Sequence, residues 1–227
     1  MDPRVCIEID LPNISTLLLH NFSSLFSTYE LILRQQPKQS RMCGVGEKAD
    51  RRPIDPPPIV QLIVKAPPSS GGSKSNGAFT SYLQNPYYFM HASLVEKDTR
   101  EDVLLIKDTR SKEDMQLFKD NRTKATTGSS VSSLYPLKDF EDGGTESGFF
   151  VFPDLSVRME GTYRLKFCLY EMVGKDVHFC AFVISDPLVV YSAKKFPGME
   201  GTYHSSFQCE GYIYAAYCYR YYFMFTT

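Results

Sequence analysis

The stretch from Thr162 to Tyr170 constrains the fold more than any other. Tyr163, Leu165, Phe167 and Leu169 alternate there with Thr162, Arg164, Lys166 and Cys168. A period of two puts one set on a dry face and the other on a wet face, the signature of a strand in a sheet covered on one side. Shorter runs rich in Val, Ile, Phe and Tyr, each ended by Pro, Gly, Asn or Asp, predict further strands. They fall at Tyr29 to Gln35, Ile59 to Val64, Tyr87 to Val95, Val103 to Lys107, Phe149 to Phe152, Val177 to Ile184 and Leu188 to Tyr191. No helices alternate with these runs, so the pattern favours an all-β, two-sheet sandwich over a parallel α/β sheet. Composition agrees: 16 Phe and 15 Tyr without Trp, and Gly and Pro at 14 each, suit strands joined by many turns.

Just before the clearest strand, Glu160-Gly161-Thr162-Tyr163 follows Leu155 at the spacing of a tyrosine corner, in which a phenol ties a strand start to the preceding turn. A plain turn followed by a strand tyrosine fits equally well. Leu11, Ile14, Leu18, Phe22, Leu25 and Tyr29 recur at spacings of three and four behind Pro12, which predicts a short amphipathic helix. Ala66 to Ser81 is rich in Pro, Ser and Gly and is expected to be a mobile surface loop. Lys107 to Ser133 mixes both charge signs before a Thr/Ser/Gly run and reads as a solvated helix or loop. The expected organisation is an extension over residues 1–28, one domain over 29–211 and a Tyr-rich tail over 212–227.

Of the 227 residues, 43% are hydrophobic and 22% charged, which excludes a chain disordered throughout. Twenty-five Lys and Arg face 26 Asp and Glu, giving a formal net charge of -1, so any affinity for a polyanion must be local. Residues 1–4 carry no net positive charge, and the apolar run at Leu17 to Leu19 is broken by His20 and Asn21, so no signal peptide is expected. Leu11 to Tyr29 is too interrupted by polar residues to span a bilayer, and a soluble intracellular chain is expected. The sequons at Asn13, Asn21 and Asn121 then read as chance.

Six cysteines form no C-x-x-C pair and four histidines have no i, i+4 partner, so no metal or cofactor is expected. Cys168 and Cys180 are expected as free thiols facing each other across neighbouring strands. The chain also lacks a nucleophile elbow, a phosphate-binding Gly loop, a dinucleotide fingerprint and a zinc-protease helix motif. Glu141 and Asp142 lie in a Gly-rich turn that suits solvation better than acid-base work. No catalytic residue is assigned, and an enzyme is not expected.

Local charge is what stands out. Between Arg34 and Arg52 lie Arg34, Lys38, Arg41, Lys48, Arg51 and Arg52 against only Glu47 and Asp50. Gly44 and Gly46 give the segment turns, and Pro56-Pro57-Pro58 stiffens its return to the strand at Ile59. Guanidinium groups on a loop held by a rigid sheet can clamp phosphates or read guanine edges bidentately. A merely solvated loop has the same charge.

Three blocks carry a family resemblance. They are Gln35-Gln36-Pro37 through Arg51-Arg52-Pro53-Ile54-Asp55-Pro56-Pro57-Pro58, Gly148 through Arg158 (GFFVFPDLSVR), and Ser185-Asp186-Pro187 through Tyr191-Ser192-Ala193-Lys194-Lys195-Phe196-Pro197-Gly198. With the intervening EGTYRLKFCLYE, they resemble the velvet family of fungal regulators over approximately Tyr29 to Gly211. The resemblance implies an immunoglobulin-like sandwich related to the Rel-homology DNA-binding domain. It further implies pairing with other velvet proteins, location in the nucleus with a cytoplasmic pool, and control of transcription linking sporulation to secondary metabolism.

Carried over residue by residue, the family's DNA-contacting loop falls on Arg41, Lys48, Arg51 and Arg52, of which Arg51 and Arg52 match best and Lys48 is flanked by Glu47 and Asp50. Lys194 and Lys195 either support a phosphate contact or point to solvent at a strand end. The partners implied are double-stranded promoter DNA, other velvet proteins and a methyltransferase-like regulator, with no membrane. The rival reading is an interaction scaffold that touches DNA weakly or not at all. The tail from Tyr212 to Thr227 departs from the family, where a basic closing strand is expected; it reads as an edge strand, a partner-packing segment, or the product of a truncated or mis-spliced reading frame.

Overall fold

The computed structural model describes residues 28–44, 52–65, 81–107, 122–139 and 142–199. Strands dominate them. A four-stranded antiparallel sheet runs in the order β1 (Thr28–Gln35), β3 (Ile59–Lys65), β10 (Thr145–Val151), β9 (Tyr135–Asp139). A six-stranded mixed sheet runs β2 (Gln39–Arg41), β14 (Leu188–Tyr191), β12 (Gly161–Val173), β4 (Tyr88–Glu96), β8 (Val131–Ser133), with β13 (Asp176–Ile184) also on β12. Two ribbons, β5 (Leu105–Lys107) with β6 (Arg122–Lys124) and β7 (Thr126–Thr127) with β11 (Ser156–Val157), complete the strands of the described residues, and a 3-10 turn spans Ser81–Gln84.

The predicted alternation explains why β12 is the spine. Tyr163, Leu165, Phe167 and Leu169 are buried, whereas Thr162 is exposed and Arg164 and Lys166 are half-buried; Cys168, expected on the wet face, is buried as well. One edge of β12 carries β4, and the other carries β14 at Gly161–Tyr163 and β13 from Lys166 to Val173. Against its dry face pack Leu31 and Leu33 of β1, Val60 and Leu62 of β3, Phe150 of β10, and Met90, Ala92 and Leu94 of β4. Phe152 and Phe167 meet at 5.2 Å between ring centroids. Each fully buried Leu or Phe in such a core stabilises the fold by roughly 1.5–3 kcal/mol. The all-β sandwich expected from the sequence is the observed fold.

Tyr163 forms the corner: its hydroxyl donates to the Glu160 carbonyl at 3.2 Å. Gly143 and Gly144, with φ of +67° and +82°, make the turn from β9 into β10, and Gly144 N–H bonds Asp139 O at 2.7 Å.

Several expectations are corrected. The stretch read as a solvated helix or loop contains β6, β7 and β8 within 122–133, and Ala125 between them is buried. These strands are two or three residues long and rich in Thr and Ser, so they show no hydrophobic period; they exist by bonding to β5, β11 and β4. Strands β2 (QSR) and β9 (YPLKD) were not predicted either: neither carries an apolar alternation, and they form by pairing with β14 and β10. Cys168 and Cys180 do not face each other: Cys168 opposes Phe182, and Cys180 is the unpaired residue of a bulge between the Leu169–Ala181 and Tyr170–Phe179 pairs. Cys43, Cys168 and Cys180 are free thiols. The predicted helix at Leu11 to Tyr29 falls outside the described residues except for Thr28 and Tyr29, which open β1; of the loop Ala66 to Ser81, only Ser81 lies within them.

Candidate nucleic-acid interface

Both ends of the basic segment are fastened to the sandwich. β2 lies parallel to β14, with Ser40 opposite Val190 and Arg41 opposite Tyr191. The chain leaving β2 stays pinned: Met42 N–H donates to Tyr191 O at 2.8 Å, Cys43 N–H to Val157 O at 3.0 Å and Gly44 N–H to Arg158 O at 3.2 Å. Arg158 closes the root from the other side, its Nη1 donating to Gly44 O at 2.9 Å.

The returning chain is held as firmly. Ile54 N–H donates to Leu155 O at 2.8 Å, Asp55 N–H to Gln39 O at 2.8 Å and Gln39 N–H to Asp55 O at 2.9 Å. Ile54 and Asp55 are fully buried, and the Asp55 carboxylate also accepts from Gln39 Nε2 at 3.2 Å. Gln35 Nε2 donates to Pro57 O at 2.6 Å within the proline run. Residues 45–51 are therefore bracketed by two anchored ends whose strands touch.

Arg52 stands at the second anchor with its guanidinium carbon 6.0 Å from the centre of the Phe196 ring, within cation–π range. Phe196 is fixed by its N–H bond to Ser192 O at 3.1 Å and sits 6.4 Å from the ring of Tyr191, the residue opposite Arg41. Gln39 Nε2 donates to Gly198 O at 3.1 Å, tying the following segment to β2. The structure thus brings Arg41, Arg52 and the 192–196 turn to one end of the sandwich.

Of the residues singled out from the sequence, Lys194 is exposed on that turn, and Lys195 is exposed but ion-paired with Glu160 at 3.2 Å. Such a surface pair contributes roughly 0–1 kcal/mol and yields readily to a better anionic partner. Lys48 and Arg51 lie outside the described residues. Arg34 does not belong to the loop at all: it is on β1, where its guanidinium bonds Asp139 and Gln61. Two residues escaped the sequence reading. Arg158 anchors the loop and Phe196 backs Arg52; both lie in the family-like blocks, but contiguity in sequence carried no sign of either contact.

The strongly shifted groups gather at the opposite end, around the turn of the β12–β13 hairpin. Tyr29 Oη donates to Glu171 Oε2 at 3.2 Å and Asn85 Nδ2 to Glu171 Oε1 at 3.2 Å. Burial, reinforced by the Glu171 carboxylate, pushes the Cys180 thiol up to about 12; burial also holds the Tyr88 phenol at about 12 and raises Tyr29 further. Groups that hold their protons so tightly are poor nucleophiles and bases at neutral pH. Among the described residues, no three His, Cys, Asp or Glu side chains are placed to hold a metal ion, and no helix is long and apolar enough to cross a membrane.

The fold is an all-β sandwich that holds both ends of a basic segment at one of its ends, and comparison with known proteins places the chain. The velvet factor family model matches residues 29–121 and 106–205, and the chain belongs to the velvet family. It is 45% identical over 212 residues to the spore development regulator umv1 of Mycosarcoma maydis, covering 76% of this chain and 24% of the relative. It is 41% identical over 174 residues to a Chaetomium globosum protein named as a velvet complex subunit, covering 75% and 33%. To the developmental and secondary metabolism regulator veA of Emericella nidulans it is 34% identical over 199 residues, covering 76% and 31%. These relatives are named as regulators or as part of a velvet complex, not as enzymes, and the chain spans about a quarter to a third of their lengths.

Proposed function

We propose that this chain is a DNA-binding regulator of fungal development and secondary metabolism, acting in the nucleus, with a cytoplasmic pool, as a homo- or heterodimer of velvet domains. Arg41, Lys48, Arg51 and Arg52 form the contact loop, and Lys194 and Lys195 flank it. The observation that carries this reading is the double anchoring of the basic segment, with Arg52 stacked on Phe196 beside Arg41. A ring 6.0 Å from a guanidinium helps hold that group in place, and anchored ends lower the entropy lost on binding. The names of the relatives support the regulatory part.

Gel shifts against random and promoter DNA, run across a salt series, test it. Arg51→Ala with Arg52→Ala is expected to weaken binding and to reduce the salt slope by about one unit for each phosphate no longer neutralised. An unchanged salt titration removes both residues from the interface.

A second reading has its own support: net charge -1 and the pairing of Lys195 with Glu160 leave the surface only locally basic. On that reading the chain is a scaffold that pairs with velvet proteins or a methyltransferase-like partner. Binding to DNA only when a second velvet protein is added favours it.

A further inference from the structure

At the end of the sandwich that carries Arg41 and Arg52, a half-exposed carboxylate stands among the cations. Glu160 immediately precedes β12, whose first residue, Gly161, pairs with Val190 on one side of β14 as Ser40 does on the other. Glu160 therefore enters level with Tyr191, the residue opposite Arg41, and lies about 10 Å from Arg41 across two strand spacings. Its side chain is 46% exposed, and Oε1 accepts from Lys195 Nζ at 3.2 Å. The residue after Lys195 is Phe196, the ring that backs Arg52.

Both partners hang from fixed backbone. The Glu160 carbonyl accepts from Tyr163 Oη at 3.2 Å, which ties it to the tyrosine corner. Lys195 N–H donates to Ser192 O at 3.1 Å in the turn after β14, and Gln39 Nε2 holds the Gly198 carbonyl beyond it at 3.1 Å. An exposed ion pair ordinarily gains little because two long side chains must be ordered before they meet. Here the two backbones are already set, and only side-chain torsions remain to be ordered. Arg158, two residues before Glu160, directs its Nη1 to the Gly44 carbonyl at 2.9 Å and not to the carboxylate. Lys194 is exposed on the same turn. The turn thus brings two lysines to the surface, one of them already paired.

We infer, resting on the reading of this end as a DNA contact, that Glu160 is an internal competitor for phosphate at Lys195. Its carboxylate occupies the ammonium in the free chain and is displaced before that lysine neutralises a DNA phosphate. Sequence-independent affinity for duplex DNA comes from the phosphates a protein neutralises. A lysine that starts the encounter paired with a carboxylate gains only the difference between two anionic partners, and the displaced carboxylate then faces the polyanion. Glu160 therefore holds down the phosphate part of binding at the turn beside Arg52. It leaves the contacts that loop residues make to base edges as they are.

Fluorescence anisotropy of a labelled random-sequence DNA duplex, titrated with the full chain across a salt series, tests the assignment. Glu160→Gln is expected to bind about two- to fivefold tighter at low salt and to steepen the salt slope by about one unit, as one more phosphate is neutralised. The variant keeps the backbone carbonyl that holds the corner; if it unfolds, Glu160→Ala, which keeps it too, takes its place. Made in a Lys195→Ala background, Glu160→Gln is expected to add nothing to the slope. Glu146→Gln, which removes an exposed carboxylate on β10, is expected to bind like the wild type. A gain in slope as large without Lys195 as with it marks a charge acting at a distance and overturns the competition. If Glu160→Gln leaves affinity and slope as they were while Arg52→Ala weakens binding, the competition falls and the DNA contact stands. If both changes leave binding unaltered, the DNA contact itself falls and the competition with it.

Discussion

The guanidinium of Arg34 on β1 and the carboxylate of Asp139 on β9, the two edges of the four-stranded sheet, are joined by two hydrogen bonds, the one from Nη2 at 3.1 Å. Between the edges the guanidinium also donates to Gln61 Oε1 at 2.7 Å and lies 5.9 Å from the Phe149 ring centre. The side chains of Arg34 and Asp139 are 13% and 1% exposed, so this is a buried pair, and removing one partner strands the other charge.

Asp139→Ala is therefore expected to cost about 3 kcal/mol of stability in urea denaturation, whereas Arg34→Met with Asp139→Leu recovers most of that loss. A single change costing under about 1 kcal/mol would show that water reaches the pair freely.

At the tyrosine corner, Tyr163→Phe removes one hydrogen bond and is expected to cost about 1 kcal/mol. Gly161→Ala is expected to cost more, on the order of 2–3 kcal/mol. Its Cβ would stand 2.8 Å from Tyr163 Oη and 2.9 Å from two ring carbons, at φ +154°, and the buried ring has little room to retreat. The double variant is expected to recover only part of the loss, because the ring carbons remain. Thermal melts of the three variants check the order; a neutral Gly161→Ala refutes it.

How much of this was legible in the sequence depended on whether each strand carried its own period. β12 announced itself because Tyr163 to Leu169 alternate without a break and the sheet covers one side. β13 announced its extent but not its faces, since the bulge at Cys180 reverses the parity of Phe179, and a bulge is set by the partner strand. β6, β7 and β8 were invisible because Thr and Ser runs become strands only where a neighbour supplies hydrogen bonds. At the site, the charges of Arg41 and Arg52 were plain. That Arg34 belongs instead to an ion pair with Asp139 could not be read from a charge count, because the two are 105 residues apart.

Alkaline pH is expected to weaken the fold from the β12–β13 end. Burial raises the Cys180 thiol from 9.0 to about 12 and the Tyr88 phenol from 10.0 to about 12, and raises Tyr29 as well. The folded state thus holds these protons more tightly than the unfolded chain does. The associated stability is complete below about pH 9 and is lost as pH climbs through the window from 9 to 12. Urea midpoints measured from pH 7 to 11 are expected to stay level to about 9 and then fall. Cys180→Ala is expected to make the early part of that fall shallower, and a flat profile to pH 11 contradicts the assignment.

Phe196 and Arg52 separate positioning from charge at the proposed DNA contact. Phe196→Ala leaves every charge in place but removes the ring 6.0 Å beneath the guanidinium. A cation–π contact at an exposed site is worth about 0.5–1 kcal/mol, so binding is expected to weaken about two- to fivefold with the salt slope unchanged. Arg52→Ala is expected to weaken binding and to flatten the slope by about one unit, because one phosphate is left without its cation. Phe196→Leu keeps the bulk that packs near Tyr191 and loses the π face, so it is expected to follow Phe196→Ala. If Phe196→Leu instead binds like the wild type, the ring serves only to fill the turn at 192–196. If Phe196→Ala changes the slope as Arg52→Ala does, the ring governs whether Arg52 reaches the phosphate at all.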